Sequence, residues 1–292
     1  MASLRQIRRR IKSVKNTQQI TRAMEMVSAS KLKRSESMLF SSRPYAKKMA
    51  KLLGHLAHST CEYAHPFFEK RETKRIGVVI VTSDKGLCGS YNSNVIRTAE
   101  SFLKRHKSSD VQLILLGKKG AEHFKKREWE IVHRVQDLGG KIDRARVEEI
   151  TGFVTDIFLR GEVDEIYLIY TAFGSALVYK PTVEKFLNIE MDSSISHDSH
   201  GEGKMHEVEY IFEPNPKDIM DILLPRYTVT KMHIVLAEAF TSENSARMIA
   251  MKSATDNADE MVDNLTLVRN KLRQASITKE ISEIVAGAEA LK

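Results

Sequence analysis

The last 76 residues, Lys217 to Lys292, contain one proline, Pro225, and one glycine, Gly287. A stretch this long with so few breakers is expected to form one helix. Met251, Ala254, Ala258, Met261, Leu265, Val268, Leu272 and Ala275 alternate at spacings of 3 and 4. That is the heptad seam of a helix lying along another helix. After Ala275 the phase slips, and Ile277, Ile281, Ile284, Ala288 and Leu291 form a second apolar face. At 1.5 Å per residue such a helix approaches ~110 Å. A compact domain cannot cover that length, so the seam needs a second long helix.

The N-terminal segment supplies one. Residues 2 to about 57 are expected to be helical, with Leu4, Ile7, Ile11 and Val14 on one seam. The seam is expected to shift to Ile20, Met24 and Val27, then become small and polar at "SASK". Pro44 is expected to kink or interrupt the helix. Because the two seams flank one central region, the simplest pairing is an antiparallel coiled coil.

Charge is concentrated in this first helix. The chain carries 46 Lys/Arg and 38 Asp/Glu, a net charge of +8. Residues 1–51 hold 14 of those basic residues and only 2 acidic ones, which makes the arm +12 and leaves the remainder at −4. A basic arm implies a polyanionic partner: nucleic acid, an acidic membrane face or acidic protein lobes. The Arg-rich start also has the composition of a transit peptide. Its unbroken periodicity favours the first turns of a helix.

Between the helices the pattern changes. "RIGVVIVTSD", "DVQLILLG", "WEIVHRV" and "DEIYLIYTAF" are strand-like, and amphipathic helical segments separate them. Such alternation implies parallel βαβ units in a small Rossmann-like sheet. "EVEYIFEP" is expected to close the domain as a last strand, after the polar loop 191–206. The expected organisation is an N-terminal coiled-coil helix over 1–58, a linker over 59–74, a Rossmann-like α/β domain over 75–213, and a C-terminal coiled-coil helix over 214–292.

No catalytic constellation emerges. "TSDKGLCGSYNSN" sits between strand and helix, where α/β folds often bind phosphate. It lacks the Lys-Ser/Thr of a P-loop and the spacing of a dinucleotide fingerprint, so its glycines read as a tight turn. "GKKG" after the second strand is a weaker phosphate candidate. Cys88 in the turn reads as a buried packing residue, although a helix N-terminus can activate a thiol. His197, His200 and His206 match no zinc spacing and read as a solvated loop. Two cysteines, Cys61 and Cys88, make no disulfide framework. No metal or cofactor is expected. A nucleic-acid-binding basic helix and a nucleotide-dependent enzyme are the competing readings. The first leaves the C-terminal seam unexplained, and the arm lacks interleaved aromatics before Phe40.

Four stretches together resemble the gamma subunit of the F-type ATP synthase: "RIKSVKNTQQITRAMEMVSASKLK", "TSDKGLCGSYN", "SENSARMIAMKSATDNA" and "QASITKEISEIVAGAEA". The resemblance spans the whole chain in the same order. The chain also starts where bacterial members start, and it lacks the cysteine-bearing insert of chloroplast forms. The resemblance implies a non-catalytic rotor shaft inside a ring of three α and three β subunits. Its α/β domain would sit with the epsilon subunit on the c-ring, at the cytoplasmic face of the bacterial membrane. Proton flow would turn the shaft and drive ATP synthesis on β. By the same resemblance, Met24 and Arg247 would meet the lever-like lobes of β, and Arg273, Gln274, Thr278 and Glu280 would make polar contacts with the ring. Ile277, Ile281 and Ile284 would fit its apolar collar. Tyr210, Phe212 and Glu213 would lie at the foot, facing the c-ring and epsilon, although Tyr210 and Phe212 read equally well as core of the α/β domain.

Overall fold

The structure is a computed structural model that describes residues 3–59, 65–69, 71–106, 110–138, 142–189 and 215–289. Its elements are α1 (Leu4–Ser59), a 3-10 turn (Pro66–Phe68), β1 (Arg75–Val81), α2 (Tyr91–Arg105), β2 (Asp110–Leu116), α3 (Lys118–Phe124), β3 (Glu130–Val135), α4 (Arg144–Leu159), β4 (Glu165–Phe173), β5 (Tyr179–Leu187) and α5 (Pro216–Glu289). The chain divides into two compact units, Met1–Ser30 with Arg247–Lys292, and Lys31–Ala246.

The first unit is a helix pair. Thr255 on α5 donates its hydroxyl to Thr21 Oγ1 on α1 at 2.8 Å. The Gln18 side-chain amide meets the Asp259 carboxylate. Moving forward on α1 from Gln18 to Thr21 means moving back on α5 from Asp259 to Thr255, so the pair is antiparallel. Ile7, Ile11, Thr21 and Ser28 are buried along α1, and Met251, Thr255 and Ala258 along α5.

The α1 seam does not shift as its apolar residues suggest. Ile20 is 60% exposed and Val27 55% exposed. The covered positions instead keep strict heptad phase through polar residues: Ile7, Ile11, Val14, Gln18, Thr21, Glu25 and Ser28 are buried or half-buried. Along α5 five of the eight expected seam positions are covered: Met251, Ala254, Ala258, Leu265 and Leu272. The other three move by one residue. Val262, Arg269 and Ser276 are covered, as is Thr255, while Met261, Val268 and Ala275 are exposed. Packing geometry rather than hydrophobicity decides which side of the stripe faces inward.

Neither proline ends its helix. Pro44 lies within α1 and is exposed; it has no N–H to donate to the Phe40 carbonyl, and its ring crowds that carbonyl, yet the helix runs on past it. Pro225 lies within α5, where the Thr228 hydroxyl donates to its carbonyl at 2.8 Å. Pro216 opens α5 at a position that has no intrahelical donor to lose. Asn215 caps the start by accepting from the Asp218 N–H at 2.9 Å.

In the second unit the sheet order is β3-β2-β1-β4-β5. The β1–β2, β2–β3 and β1–β4 pairs are parallel, and β4–β5 is antiparallel. The chain moves outward from β1 to β3 and then returns to the far side of β1. With one-handed crossovers, that reversal puts α2 and α3 on one face and α4 on the other. Packing agrees. Ile76, Val78, Ile80, Leu113 and Leu115 meet Val95, Ala99, Phe102 and Leu103 of α2 and Phe124 of α3. Val79, Val81, Ile114, Leu116 and Leu168 meet Val154 and Phe158 of α4, with Leu53 and Leu56 of α1 and Met232, Leu236 and Phe240 of α5 in the same core. Burial on both faces explains the unbroken apolar runs in β1 and β2. Each such side chain contributes ~2 kcal/mol on burial.

Strand β5, "YKPTVEKFL", is not apparent in the sequence, because Pro181 and its charged residues mask it. Pro181 is tolerated there because β5 is the last strand of the order and pairs only with β4 among the described residues. The segment "EVEYIFEP" and the loop 191–206, with His197, His200 and His206, lie outside the described residues.

Candidate functional site

The β1–α2 turn is where an α/β sheet would hold a phosphate, and here it is closed on itself. The Asn92 Oδ1 accepts from the Ser83 N–H at 3.0 Å, and its Nδ2 donates to Ser83 Oγ at 2.7 Å. The Ser83 hydroxyl donates to the Lys85 carbonyl at 2.7 Å. Leu87 and Gly89 take positive φ values of 62° and 55°, which turn the chain sharply. Cys88 is buried against Tyr91, Ala246 and Tyr179. The Tyr91 hydroxyl reaches the Ala239 carbonyl at 3.2 Å. The turn therefore ties the sheet to α5.

The "GKKG" glycines serve close packing. A Cβ at Gly117, whose φ is +100°, would collide with the Thr82 carbonyl. The Gly120 N–H donates to Thr82 Oγ1 at 2.8 Å. Asp84 accepts from the N–H groups of Lys118 and Asp137, at 3.1 and 3.2 Å. These polar groups serve the fold.

Ionised groups clamp the β4–β5 hairpin to the helices beside it. Arg43 on α1 donates to the Phe173 carbonyl at 2.7 Å and to Glu238 Oε1 on α5 at 2.8 Å. Lys231 on α5 donates to the Lys185 carbonyl at 3.0 Å and pairs with Glu184 at 3.1 Å. The Tyr170 hydroxyl donates to Glu184 Oε2 at 2.9 Å. Burial, followed by the Glu184 and Glu238 charges, pushes the Tyr170 phenol far above its usual range. Ser242 and Ser245 on α5 hydrogen-bond to the carbonyls of Thr171 and Ala176.

The expected partner-facing residues fall into two groups. Met24 and Arg247 are half-buried members of the helix pair. From Ile277 to Glu289 every residue of α5 is exposed. Ile277 is 48%, Ile281 56% and Ile284 71% exposed, with Val285 beside them. Arg273, Gln274, Thr278 and Glu280 are also exposed. Thr278 donates to the Gln274 carbonyl at 3.0 Å, and Ser276 to Glu280 Oε1 at 3.2 Å. Around α1 the side chains of Arg5, Arg8, Arg9, Arg10, Lys12, Lys15 and Arg22 are exposed. Tyr210, Phe212, Glu213 and Leu291 lie outside the described residues. Among the described residues no helix is long and apolar enough to cross a membrane.

Sequence reading missed the polar rung Gln18–Asp259 and Thr21–Thr255, and it missed the Arg43–Glu238 tie. The rung has a signal: Ile7, Val14, Thr21 and Ser28 are seven apart, and a heptad position kept in phase by a threonine is still a seam position. The Arg43 tie has none, because its partners lie 130 and 195 residues away.

One unit is an antiparallel helix pair and the other an α/β unit with helical layers on both faces of its β-sheet, which defines a long-helix protein with an α/β domain. A family model described as ATP synthase matches residues 3–291. The chain is 46% identical to the ATP synthase gamma chain of Protochlamydia amoebophila and 44% identical to that of Pelotomaculum thermopropionicum, each over 292 residues and the full length of both proteins. It belongs to the ATP synthase gamma-chain family. Its fold is similar to a chain in the Euglena gracilis mitochondrial ATP synthase OSCP/F1/c-ring structure, with a TM-score of 0.67 and 17% identity over 99% of this chain and 94% of that one. A chain of the Tetrahymena thermophila central stalk/c-ring structure gives 0.60 and 22%, over 80% of this chain and 99% of that one.

Proposed function

We propose that this chain is the rotating central shaft of an F-type ATP synthase, coupling proton flow through a c-ring to ATP synthesis or hydrolysis on three β subunits that alternate with three α subunits. The exposed apolar stretch of α5 beyond Ser276 carries this reading. A helix does not leave Ile277, Ile281 and Ile284 in water along one face unless something outside covers them. An apolar collar in the ring is that cover, and it turns the stretch into a bearing surface.

The remaining surface fits the same role. The +12 arm faces acidic lobes of β, giving attraction and push through charge and shape. Met24 and Arg247 meet those lobes, and an adaptable Met side chain keeps differences between rotational states small. Arg273, Gln274, Thr278 and Glu280 are polar contacts of the upper shaft with β. Tyr210, Phe212 and Glu213 form the foot against the c-ring and epsilon subunit. The chain supplies no catalytic residue and acts as a mechanical coupler between remote sites. It works at the cytoplasmic face of the membrane, touching the membrane only through its partners. The parts are the two coiled-coil helices, 1–58 and 214–292, and the α/β domain over 75–213.

Co-expression with α and β subunits tests this role. A stable complex whose ATPase exceeds that of α and β alone supports it. A chain that stays monomeric beside them, or that leaves their ATPase unchanged, sinks it.

A further inference from the structure

Two kinds of contact hold α1 and α5 to the sheet. Most are apolar: Leu53, Leu56, Met232, Leu236 and Phe240 pack into one core with the strands. Apolar contact is non-directional and scales with buried area. A small slide of a helix across a sheet leaves that area almost unchanged, so it meets little restoring force. A hydrogen bond to a charged group behaves differently. It weakens steeply once distance and angle depart from the optimum, and in a low-dielectric setting its partners cannot turn to water instead.

Arg43 is placed to supply such resistance for three elements at once. It projects from α1, donates to the Phe173 carbonyl at the end of β4, and pairs with Glu238 on α5. The Glu238 side chain is only 12% exposed, so a lost partner is poorly replaced by solvent. The guanidinium also lies over the Phe40 ring, 5.4 Å from its centroid, which limits its own swing. Next to it, Lys231 ties α5 to β5 through the Lys185 carbonyl and Glu184.

We infer that Arg43 is a torque-transmitting positioning residue. Its three-way tie to Phe173 and Glu238 locks both long helices to the β-sheet, so that twist applied to the α/β domain passes to the helices without slip. This rests on the rotor reading above.

The test uses the full chain assembled with α and β subunits, with a bead tethered at a cysteine replacing exposed Lys104. The readout is torsional stiffness, taken from the bead's angular spread during ATP-waiting pauses. The variant Arg43→Met/Glu238→Leu replaces the ion pair by apolar groups, a change that often preserves or raises stability. Its complex is expected to keep wild-type ATPase, and to lose no more stability than the Phe173 carbonyl's lost donor costs, while stiffness drops about twofold, because only the directional ties are lost. Arg43→Lys keeps the charge but not the planar fork and is expected to fall between the two. If the double variant does not assemble, Arg43→Lys decides alone. Wild-type stiffness in whichever variants assemble overturns the inference. A wild-type complex that hydrolyses ATP but never turns the bead overturns the rotor reading instead.

Discussion

The Thr255 hydroxyl donates to Thr21 Oγ1 across the helix pair, and the Thr21 hydroxyl in turn donates to the Gln18 carbonyl at 3.0 Å. Both threonines are buried, so the seam has a satisfied polar rung where a coiled coil usually places aliphatic side chains. Removing one partner and removing both should therefore differ. Thr255→Val strands the Thr21 acceptor and should cost about 1 kcal/mol. Thr21→Val/Thr255→Val leaves no polar atom unpaired and should be neutral or stabilising. Thermal unfolding of the two variants checks the ordering, and an additive loss in the double variant would count against it.

Asp164 anchors the entry to β1. Its Oδ2 accepts from the N–H groups of Lys74 and Arg75, at 2.9 and 2.8 Å. Burial alone would raise its pKa. The Arg75 and Lys74 N–H donors, helped by the Arg75 and Arg71 charges, outweigh burial and hold the carboxyl below the usual Asp range. A depressed folded-state pKa means stability that is present above the unfolded value, about 3.9, and is lost as pH falls through the folded one. Asp164→Ala should cost roughly 1–3 kcal/mol near neutral pH by leaving two N–H groups unpaired. It should also flatten the acid limb of stability against pH. Parallel acid limbs in wild type and variant would contradict the assignment.

His233 acts at higher pH. Burial lowers its pKa, so the folded state keeps the ring neutral while the unfolded chain protonates it near 6.5. Below that value the unfolded state binds more protons, and stability falls as pH drops towards the folded pKa. Melting temperature should decline from pH 7.5 to 5.5, and it should decline less in His233→Gln. An identical decline in the variant would show that the loss arises elsewhere.

Ile281 and Ile284 are exposed in the chain alone, so changing both to Asp should leave its own melting temperature within about 0.5 kcal/mol-equivalent of wild type. In the complex the same change puts two carboxylates into an apolar collar. Assembly with α and β, or the ATPase of the assembled complex, should fall severalfold. Normal assembly and normal turnover together would remove these residues from the bearing.

How far the sequence reveals this molecule depends on what each residue answers to. The parallel strands were legible because burial on both faces leaves an unmistakable signature in "GVVIV" and "QLILL". The long helices were legible because their pattern runs for many turns. Seam phase was not, because Ile20, Val27, Met261 and Val268 are apolar yet face outward, as an element needing an outside partner requires, while Thr21 and Thr255 face inward. Strand β5 was hidden because a strand paired on one side only, as β5 is among the described residues, tolerates Pro181 and Lys185. The tie at Arg43 was hidden because nothing local encodes which distant carbonyl a guanidinium will find. The exposed stretch was visible as a phase slip at Ala275, a change of facing that the structure realises as exposure of every residue from Ile277 to Glu289.

The most direct test of the account is rotation itself. The complex of this chain with α and β subunits would be fixed by the ring, and a probe on the α/β domain followed under ATP. Stepwise rotation in one direction, stopping when ATP is withdrawn, is the result the account predicts. A complex that hydrolyses ATP at full rate while the probe only fluctuates about one angle would contradict it.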